Sequence, residues 1–202
     1  MSPSLAEEIL SLSLQHLRLV AITIAIAAAI ALPTAVLVAR RPGVRRWVLS
    51  FTNIAQTVPS LALFGFLLPL IGIGEQTAIV ALSLYALLPI LRSTLTGILG
   101  VDPAVRESAM AMGMTPRQIL WQVELPLAVP SIVAGLRIAT VTTIGTATIA
   151  AFIGAGGLGV FLVRGIAMMD KQALLAGALP AAAMALAFDE GLEWIERKLS
   201  AG

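Results

Sequence analysis

The sequence has 202 residues, of which 58% are hydrophobic and 12% are charged, a composition that excludes an ordinary soluble domain. The formal net charge is only +2, and no basic patch indicates a nucleic-acid partner. The absence of cysteine excludes disulfides, thiolate catalysis and cysteine metal sites. These features predict a single all-α domain over residues 1–202 that lies in a membrane as a multi-pass protein.

The N-terminal residues do not have the pattern of a cleaved signal peptide. Residues 1–16 contain Glu7 and Glu8, and they lack both a basic region and a small-residue cleavage site. We predict an external segment there, a short helix at the membrane interface, with His16 as an interfacial residue. Five apolar stretches follow, each near the roughly 20 residues that a helix needs to cross the hydrocarbon core. They cover about residues 18–39, 51–73, 77–99, 127–153 and 173–193.

The arginine distribution orients these five predicted spans. Four arginines lie within the seven residues from Arg40 to Arg46, and the positive-inside rule places this loop in the cytoplasm. The N-terminus is then outside. The alternation of spans puts residues 100–126, between the third and fourth spans, in the cytoplasm together with the C-terminal tail.

Polar side chains inside the spans are candidates for a transport pathway. The second span opens with Asn53, Gln56 and Thr57, which lipid does not favour. The fourth span carries Thr142 and Thr146 on one helix face. Threonine hydroxyls can also bond the carbonyl one turn earlier, so a structural role for each of them stays open.

Charged side chains near the spans need a partner or a route to water. Arg137 lies about ten residues into the fourth apolar stretch, where an unpaired guanidinium is costly. An ion pair with a carboxylate of the 100–126 segment would satisfy it. We expect Arg92, near the inner end of the third span, to extend to the interface. The acidic residues near the end of the last span are predicted to form a solvated face: Asp189, Glu190, Glu193 and Glu196.

Two helix starts are encoded within residues 100–126. Asp102 can accept hydrogen bonds from the free amides of a helix that begins at Pro103 and runs to about Met112. Gly113 can adopt the left-handed backbone that ends this helix. The segment is therefore predicted to turn sharply after its first helix.

A second helix is expected directly after the turn. Thr115 can cap it, with Pro116 as its first residue and Gln118 completing a capping box. The segment is thus helix, turn, helix. The residues alone fit both a docking element and an ordinary amphipathic hairpin on the membrane surface.

The same segment resembles the EAA motif of ABC transporter importer permeases, which follows the pattern EAA…G…I.LP. Ser108 stands where many members of that family have alanine. The resemblance implies a cytoplasmic coupling helix pair that fits a groove on an ATP-hydrolysing subunit. The residues it assigns to ATPase coupling are Glu107, Ala109, Gly113, Thr115, Ile119, Leu125 and Pro126.

A glycine-rich sequence, FIGAGGLG, follows the fourth span on the predicted external side. The chain has no G-x-x-x-x-G-K-[ST] sequence, so we expect no nucleotide site and instead a tight re-entrant turn. With Asp170 and a fifth span that contains Pro180, this loop resembles the permeases of osmoprotectant importers for glycine betaine, carnitine or choline. Methionine-importer permeases have a similar size and loop. The glycines of this external loop are Gly154, Gly156, Gly157 and Gly159.

The resemblance implies a permease subunit of an ATP-driven importer in the inner (cytoplasmic) membrane, moving its solute inward by alternating access. It implies three kinds of protein partner: two ABC ATPase subunits that bind ATP and Mg, a second permease copy or homologue, and an external substrate-binding protein. No cofactor or metal is expected on this chain. A methionine or other amino-acid permease and a membrane scaffold are the alternatives. An enzyme is not expected, since no nucleophile and base pair lies within a span.

Overall fold

The structure is a computed structural model that describes residues 4–200. Over that range the chain forms nine α-helices with a π-helical and a 3-10 turn, which confirms the predicted all-α class. The helices are α1 Leu5–Val38, α2 Pro42–Thr57, α3 Ser60–Ile71, α4 Glu75–Leu99, α5 Pro103–Ala111, α6 Pro116–Ile119, α7 Leu125–Ala147, α8 Gly159–Met168 and α9 Lys171–Ser200. The π-helical turn is Leu120–Glu124, and the 3-10 turn is Ile149–Ile153.

The first helix is longer than predicted. The Ser4 hydroxyl accepts from the Glu7 amide, and the Glu7 carboxylate accepts from the Ser4 amide, so a capping box starts α1 at Leu5. No proline or glycine interrupts the helix before Pro33. The predicted separate helix over residues 1–16 is wrong, because residues 5–16 are the first turns of α1, and residues 1–3 lie outside the described range. At about 51 Å, α1 exceeds the membrane core, so its first turns can project from it.

The second predicted span is a bent pair of helices. The axes of α2 and α3 differ by 99° across a break at Val58 and Pro59. Pro59 lacks an amide hydrogen, and proline drives the residue before it out of the helical region, so Val58 is extended with ψ of 127°. Among the described residues, four helices are long and apolar enough to span a membrane, and this pair is a possible fifth.

The fourth predicted span extends in one direction and is shortened in the other. Residues Pro116–Ala147 form one apolar run through α6, the π-helical turn and α7. Helicity then changes to the 3-10 turn, so the predicted end at residue 153 is about six residues too late. The ten-residue α8 was not predicted, because it is too short to give a membrane-span signal.

Helix α4 is the centre of the bundle. It packs against α1, α2, α3 and α7, while α9 covers α7 and α8. On α1, Ala27, Ala31 and Ala35 are fully buried at four-residue spacing. Small side chains on one helical face let neighbouring backbones approach closely, which is the usual packing of membrane helices.

Gly135 lies where α7 packs closely against α4. A methyl group built at Gly135 would lie 2.6 Å from Cβ of Ser93 and 3.1 Å from the Pro89 carbonyl oxygen. We expect Gly135→Ala to lower the thermal unfolding midpoint of the detergent-solubilised protein, since overpacking costs about 1–3 kcal/mol.

Gly145 provides a matched control on the same helix. No neighbouring atom lies within 4 Å of a methyl group placed at this glycine. Gly145→Ala should therefore hold or raise the midpoint, because alanine favours a helix by about 1 kcal/mol over glycine. Equal midpoints for the two variants would contradict tight packing at Gly135.

Candidate transport pathway and coupling segment

A cavity of about 620 Å³ opens between α4, α7 and the break that separates α2 from α3. Its wall combines aliphatic side chains with hydroxyl and amide groups, together with one guanidinium, that of Arg92. The structure brings together four of the five predicted pathway residues in this wall: Gln56, Thr57, Thr142 and Thr146. The fifth, Asn53, is not one of the lining residues, but its Oδ1 accepts a hydrogen bond from Arg92 in the wall.

Hydrogen bonds fasten the broken second span to α4. The Gln56 side-chain amide donates to the Tyr85 carbonyl oxygen at 2.7 Å. The Tyr85 hydroxyl donates to the carbonyl oxygen of Val58, the residue at the break. Backbone groups that a helix break leaves unpaired need such hydrogen-bond partners in lipid. These bonds stabilise the break, whose residues Val58 and Pro59 line one side of the cavity.

The cavity threonines combine the two roles that the sequence left open. The Thr142 hydroxyl donates to the Ile138 carbonyl oxygen at 2.7 Å, and the Thr146 hydroxyl donates to the Thr142 carbonyl oxygen at 2.8 Å. These bonds use the hydroxyl hydrogens within α7. The oxygen lone pairs remain in the cavity wall as acceptors.

Arg92 has a partner on a neighbouring helix. Its Nη2 donates to Oδ1 of Asn53 at 3.3 Å, and the exposed side chain lines the cavity. Its extension to the membrane interface stays a prediction. Asn53 lies on α2 and Arg92 on α4, so the bond crosses between these helices. This position gives the cavity a positive charge.

Arg137 also has partners other than those expected. Its Nε lies 2.5 Å from Oδ1 of Asp189, its Nη2 lies 3.0 Å from Oε2 of Glu193, and its Nη1 lies 3.5 Å from Oε2 of Glu196. The predicted pair with the 100–126 segment is wrong. Of the predicted solvated face, Glu190 is exposed, whereas the three acids that contact Arg137 are half-buried against it. The missed signal is their spacing of four and three residues, which places all three on one side of α9.

The predicted coupling segment, residues 100–126, has the expected helix, turn, helix form. The Ala104 amide donates to Oδ1 of Asp102 at 2.8 Å, which starts α5, and Gly113 has a φ of 84° after α5 ends. Thr115 and Gln118 form the predicted capping box at the start of α6. This second helix is short, because the π-helical turn and α7 continue it into the membrane-spanning run.

The predicted coupling residues divide into a buried and an exposed set. Ala109 and Ile119 are 1% and 2% exposed, so they hold the segment against the bundle. Glu107, Gly113 and Thr115 are exposed on its outer side. At the entry to α7, Leu125 is half-buried and Pro126 is exposed.

Glu124 is a buried residue of this segment that sequence reasoning missed. Its fully buried carboxylate lies 2.8 Å from Nη2 of Arg40 and 2.7 Å from Nε of Arg106. These three residues, which we call the Glu124 clamp, join the loop after α1, helix α5 and the π-helical turn. Arg40 and Arg106 are 84 and 18 residues from Glu124 in sequence, so no local pattern indicated the pairing.

The glycine-rich loop makes the tight turn that was predicted. Gly154, Gly156 and Gly157 have φ of 76°, 77° and 74°, a region that favours glycine. Gly159 is not a loop residue, since it is the first residue of α8. A methyl group there would overlap the Thr148 carbonyl oxygen, so Gly159 is needed for space.

Helix α1 packs directly against this loop. The Gly157 amide donates to Oε1 of Gln15 at 3.0 Å. His16 is fully buried, with Nε2 3.0 Å from the Ile144 carbonyl oxygen. The prediction of an interfacial His16 is wrong, because α1 continues past it and turns it into the bundle.

Comparison with known proteins agrees with this architecture. Residues 21–201 match the family described as binding-protein-dependent transport system inner membrane component. The carnitine transport permease protein OpuCD of Listeria monocytogenes is 46% identical over 187 residues, which are 92% of this chain and 84% of that protein. The choline transport system permease protein OpuBD of Bacillus subtilis is 45% identical over 187 residues, 92% of this chain and 83% of that protein.

A solved structure has the same fold over nearly the whole chain. It is a chain of the MetNI methionine ABC transporter in an inward-facing conformation, with a TM-score of 0.88 and 26% identity, covering 98% of this chain and 99% of that one. The resemblance drawn from the EAA motif is therefore confirmed at the level of the family. The chain belongs to the binding-protein-dependent transport system inner membrane components, the permease subunits of ABC importers.

Proposed function

We propose that this permease moves a compatible solute of the glycine betaine, carnitine or choline type inward. The observation that carries the proposal is the identity of 45–46%, over 92% of the chain, to permeases named for carnitine and choline transport. The structural likeness to a methionine transporter has an identity of 26%, which supports an amino-acid substrate less strongly.

The bent pair α2 and α3 counts as one span in this proposal, which gives five spans with the N-terminus outside. Support comes from the ion pairs at the two ends of the bundle. The Glu124 clamp gathers the arginine-rich loop and the coupling segment at one end, the proposed cytoplasmic end. Two other pairs join the N-terminal half of α1 to the start of α4 and to helix α8 at the opposite end: Arg18 with Glu75, and Arg164 with Glu8.

The mechanism we propose is alternating access in a core of two permeases, either two copies or a copy and a homologue. The polar cavity supplies this chain's part of the pathway, and the break between α2 and α3 lets that wall move. Two ABC ATPase subunits bind ATP and Mg, and closure of their dimer favours one permease state through differential binding energy. An external binding protein delivers the solute to the glycine-loop end.

The coupling segment presents an apolar surface that suits docking to an ATPase. Met112 and Trp121 are 75% and 65% exposed on the segment that contains the proposed contact residue Glu107. Exposed apolar side chains within a polar surround are typical of protein interfaces. We therefore assign this outer side of the segment to the ATPase subunit.

Met112→Asp is expected to reduce the amount of ATPase that co-purifies with the permease, because burying an unpaired polar group in an apolar contact costs about 1–3 kcal/mol and a charge costs more. Met168→Asp is the matched control. Met168 is 72% exposed and lies at the opposite end of the bundle, so it should retain the ATPase. Equal retention by both variants would contradict docking at Met112.

Reconstitution tests the proposed substrate. The permease, its ATPase and its binding protein are placed in proteoliposomes, and ATP hydrolysis and uptake are measured with glycine betaine, carnitine, choline or methionine. We expect stimulation by at least one of the quaternary ammonium solutes. Stimulation by methionine alone would favour the amino-acid alternative, and no association with an ATPase would favour the scaffold.

A further inference from the structure

The cavity wall carries a positive charge, and the proposed solutes all carry a positively charged quaternary ammonium. Among the described residues that line the 620 Å³ cavity, Arg92 is the only charged one, and no carboxylate accompanies it. Every solute of the proposed type carries a quaternary ammonium, but only glycine betaine and carnitine also carry a carboxylate. A positive wall distinguishes these two classes of solute.

Arg92 also has N–H groups that make no hydrogen bond within the described residues. A guanidinium has five N–H donors, and the bond to Asn53, at 3.3 Å, uses one of them. Other arginines of the bundle are satisfied by acids: Arg137 contacts three carboxylates, and Arg40 and Arg106 share Glu124. Within residues 4–200, Arg92 has no such ion pair.

We propose that Arg92, oriented by Asn53, is a carboxylate subsite of the transport cavity, which therefore accepts zwitterionic carboxylate solutes in preference to a bare quaternary ammonium. The inference rests on the proposed function and narrows its substrate class. A guanidinium binds a carboxylate through paired, charge-assisted hydrogen bonds, and its charge repels a cation that carries no carboxylate.

The remaining wall suits the other end of such a solute. Tyr85 is the aromatic residue of the cavity wall, seven residues before Arg92 on α4, so the two share one helix face. An aromatic ring and neutral hydroxyls accommodate a quaternary ammonium without a counter-ion. The threonine oxygens of α7 add acceptors on the opposite wall.

Direct binding to the permease–ATPase complex in nanodiscs tests the subsite, because leaving out the binding protein removes that protein's own selectivity. Radiolabelled glycine betaine, carnitine and choline are the probes. We expect the two carboxylate solutes to bind at least about tenfold more tightly than choline, which corresponds to about 1.4 kcal/mol.

Two variants that remove the net charge in different ways should abolish this preference. Arg92→Gln removes the guanidinium, and Asn53→Asp leaves it in place but supplies an internal carboxylate that occupies it. Arg18→Gln is the matched control, because its side chain is 69% exposed outside the cavity, and it should keep the preference.

The inference is overturned if choline binds the wild-type complex as tightly as glycine betaine, if Arg92→Gln keeps the preference, or if no solute binds. Failure of the proposed function has a separate readout. In that case the complete wild-type system with its binding protein transports none of the three solutes, whatever the nanodisc measurement gives.

Discussion

Glu124→Ala is expected to lower the free energy of unfolding by about 1.5–3 kcal/mol, because it removes hydrogen bonds to charged groups, while the partly exposed arginines left behind stay hydrated. The Glu124 carboxylate is fully buried and receives Arg40 and Arg106 at 2.8 and 2.7 Å. Without it, two guanidinium groups face each other across the space it occupied. The resulting repulsion should separate the loop after α1 from α5.

Thermal unfolding in detergent, read together with ATPase co-purification, checks this prediction. Glu75→Ala is the matched control: its partner Arg18 is 69% exposed at 3.4 Å, and exposed pairs contribute about 0–1 kcal/mol. Glu124→Gln should fall between the two, since it keeps the shape and hydrogen-bonding oxygen but loses the charge. If Glu124→Ala unfolds no earlier than Glu75→Ala, the clamp does not stabilise the fold.

The position of the Glu124 clamp gives it a place in the proposed coupling mechanism. Its carboxylate, that of Glu124, lies in the π-helical turn that joins α5 and α6 to α7. Such turns are frequent at functional sites. Arg106 extends from α5, which contains Glu107, and Arg40 extends from the end of α1. A displacement of α5 and α6 would therefore be transmitted to both α1 and α7 through the Glu124 carboxylate.

Local backbone chemistry explains what the sequence could predict. The caps at Asp102 and Thr115 and the turn at Gly113 depend on neighbours within four residues, and the structure has all three. Apolar runs likewise predicted the long helices, because the length of an apolar run can be read directly from the sequence. The observed boundaries differ from the predicted ones where α1 includes residues 5–16 and where helicity changes after Ala147.

The tertiary partners of the charged residues could not be predicted from local sequence patterns. Arg137 had to be paired, but its acids are 52 or more residues away on α9, and nothing local selected them over the coupling segment. The same holds for Glu124 and Arg40, which are 84 residues apart. Pro59 indicated a break in the second span, whereas the 99° angle depends on how α2 and α3 pack against α4.

The assigned roles of the coupling residues remain predictions, and burial divides them. Ala109 and Ile119 face the bundle, so their substitution should disturb the fold before it disturbs docking. Glu107 and Gly113 are exposed, so a change there can act on coupling alone. This difference makes Gly113 the sharper place to test the proposed mechanism.

Gly113→Val is expected to uncouple ATP hydrolysis from transport while the spans remain inserted. With φ of 84°, Gly113 has a backbone that a β-branched residue resists at a cost of about 1–3 kcal/mol. No neighbouring atom lies within 4 Å of a methyl group built there, so the effect comes from the backbone and not from a clash. The turn would open and reorient α5 relative to α6.

Uptake and ATP hydrolysis in proteoliposomes measure the two consequences separately. Uptake by Gly113→Val should fall at least about tenfold, equivalent to about 1.4 kcal/mol, with hydrolysis retained. Gly113→Asn should retain most uptake because asparagine tolerates the left-handed region, and Gly43→Val should retain it because that glycine has ordinary φ and open surroundings. Normal uptake by Gly113→Val would mean that the left-handed turn is not needed for coupling. Equal losses in the valine and asparagine variants at 113 would instead point to the side chain's presence at the docking surface, so the comparison of these two variants isolates the backbone as the cause.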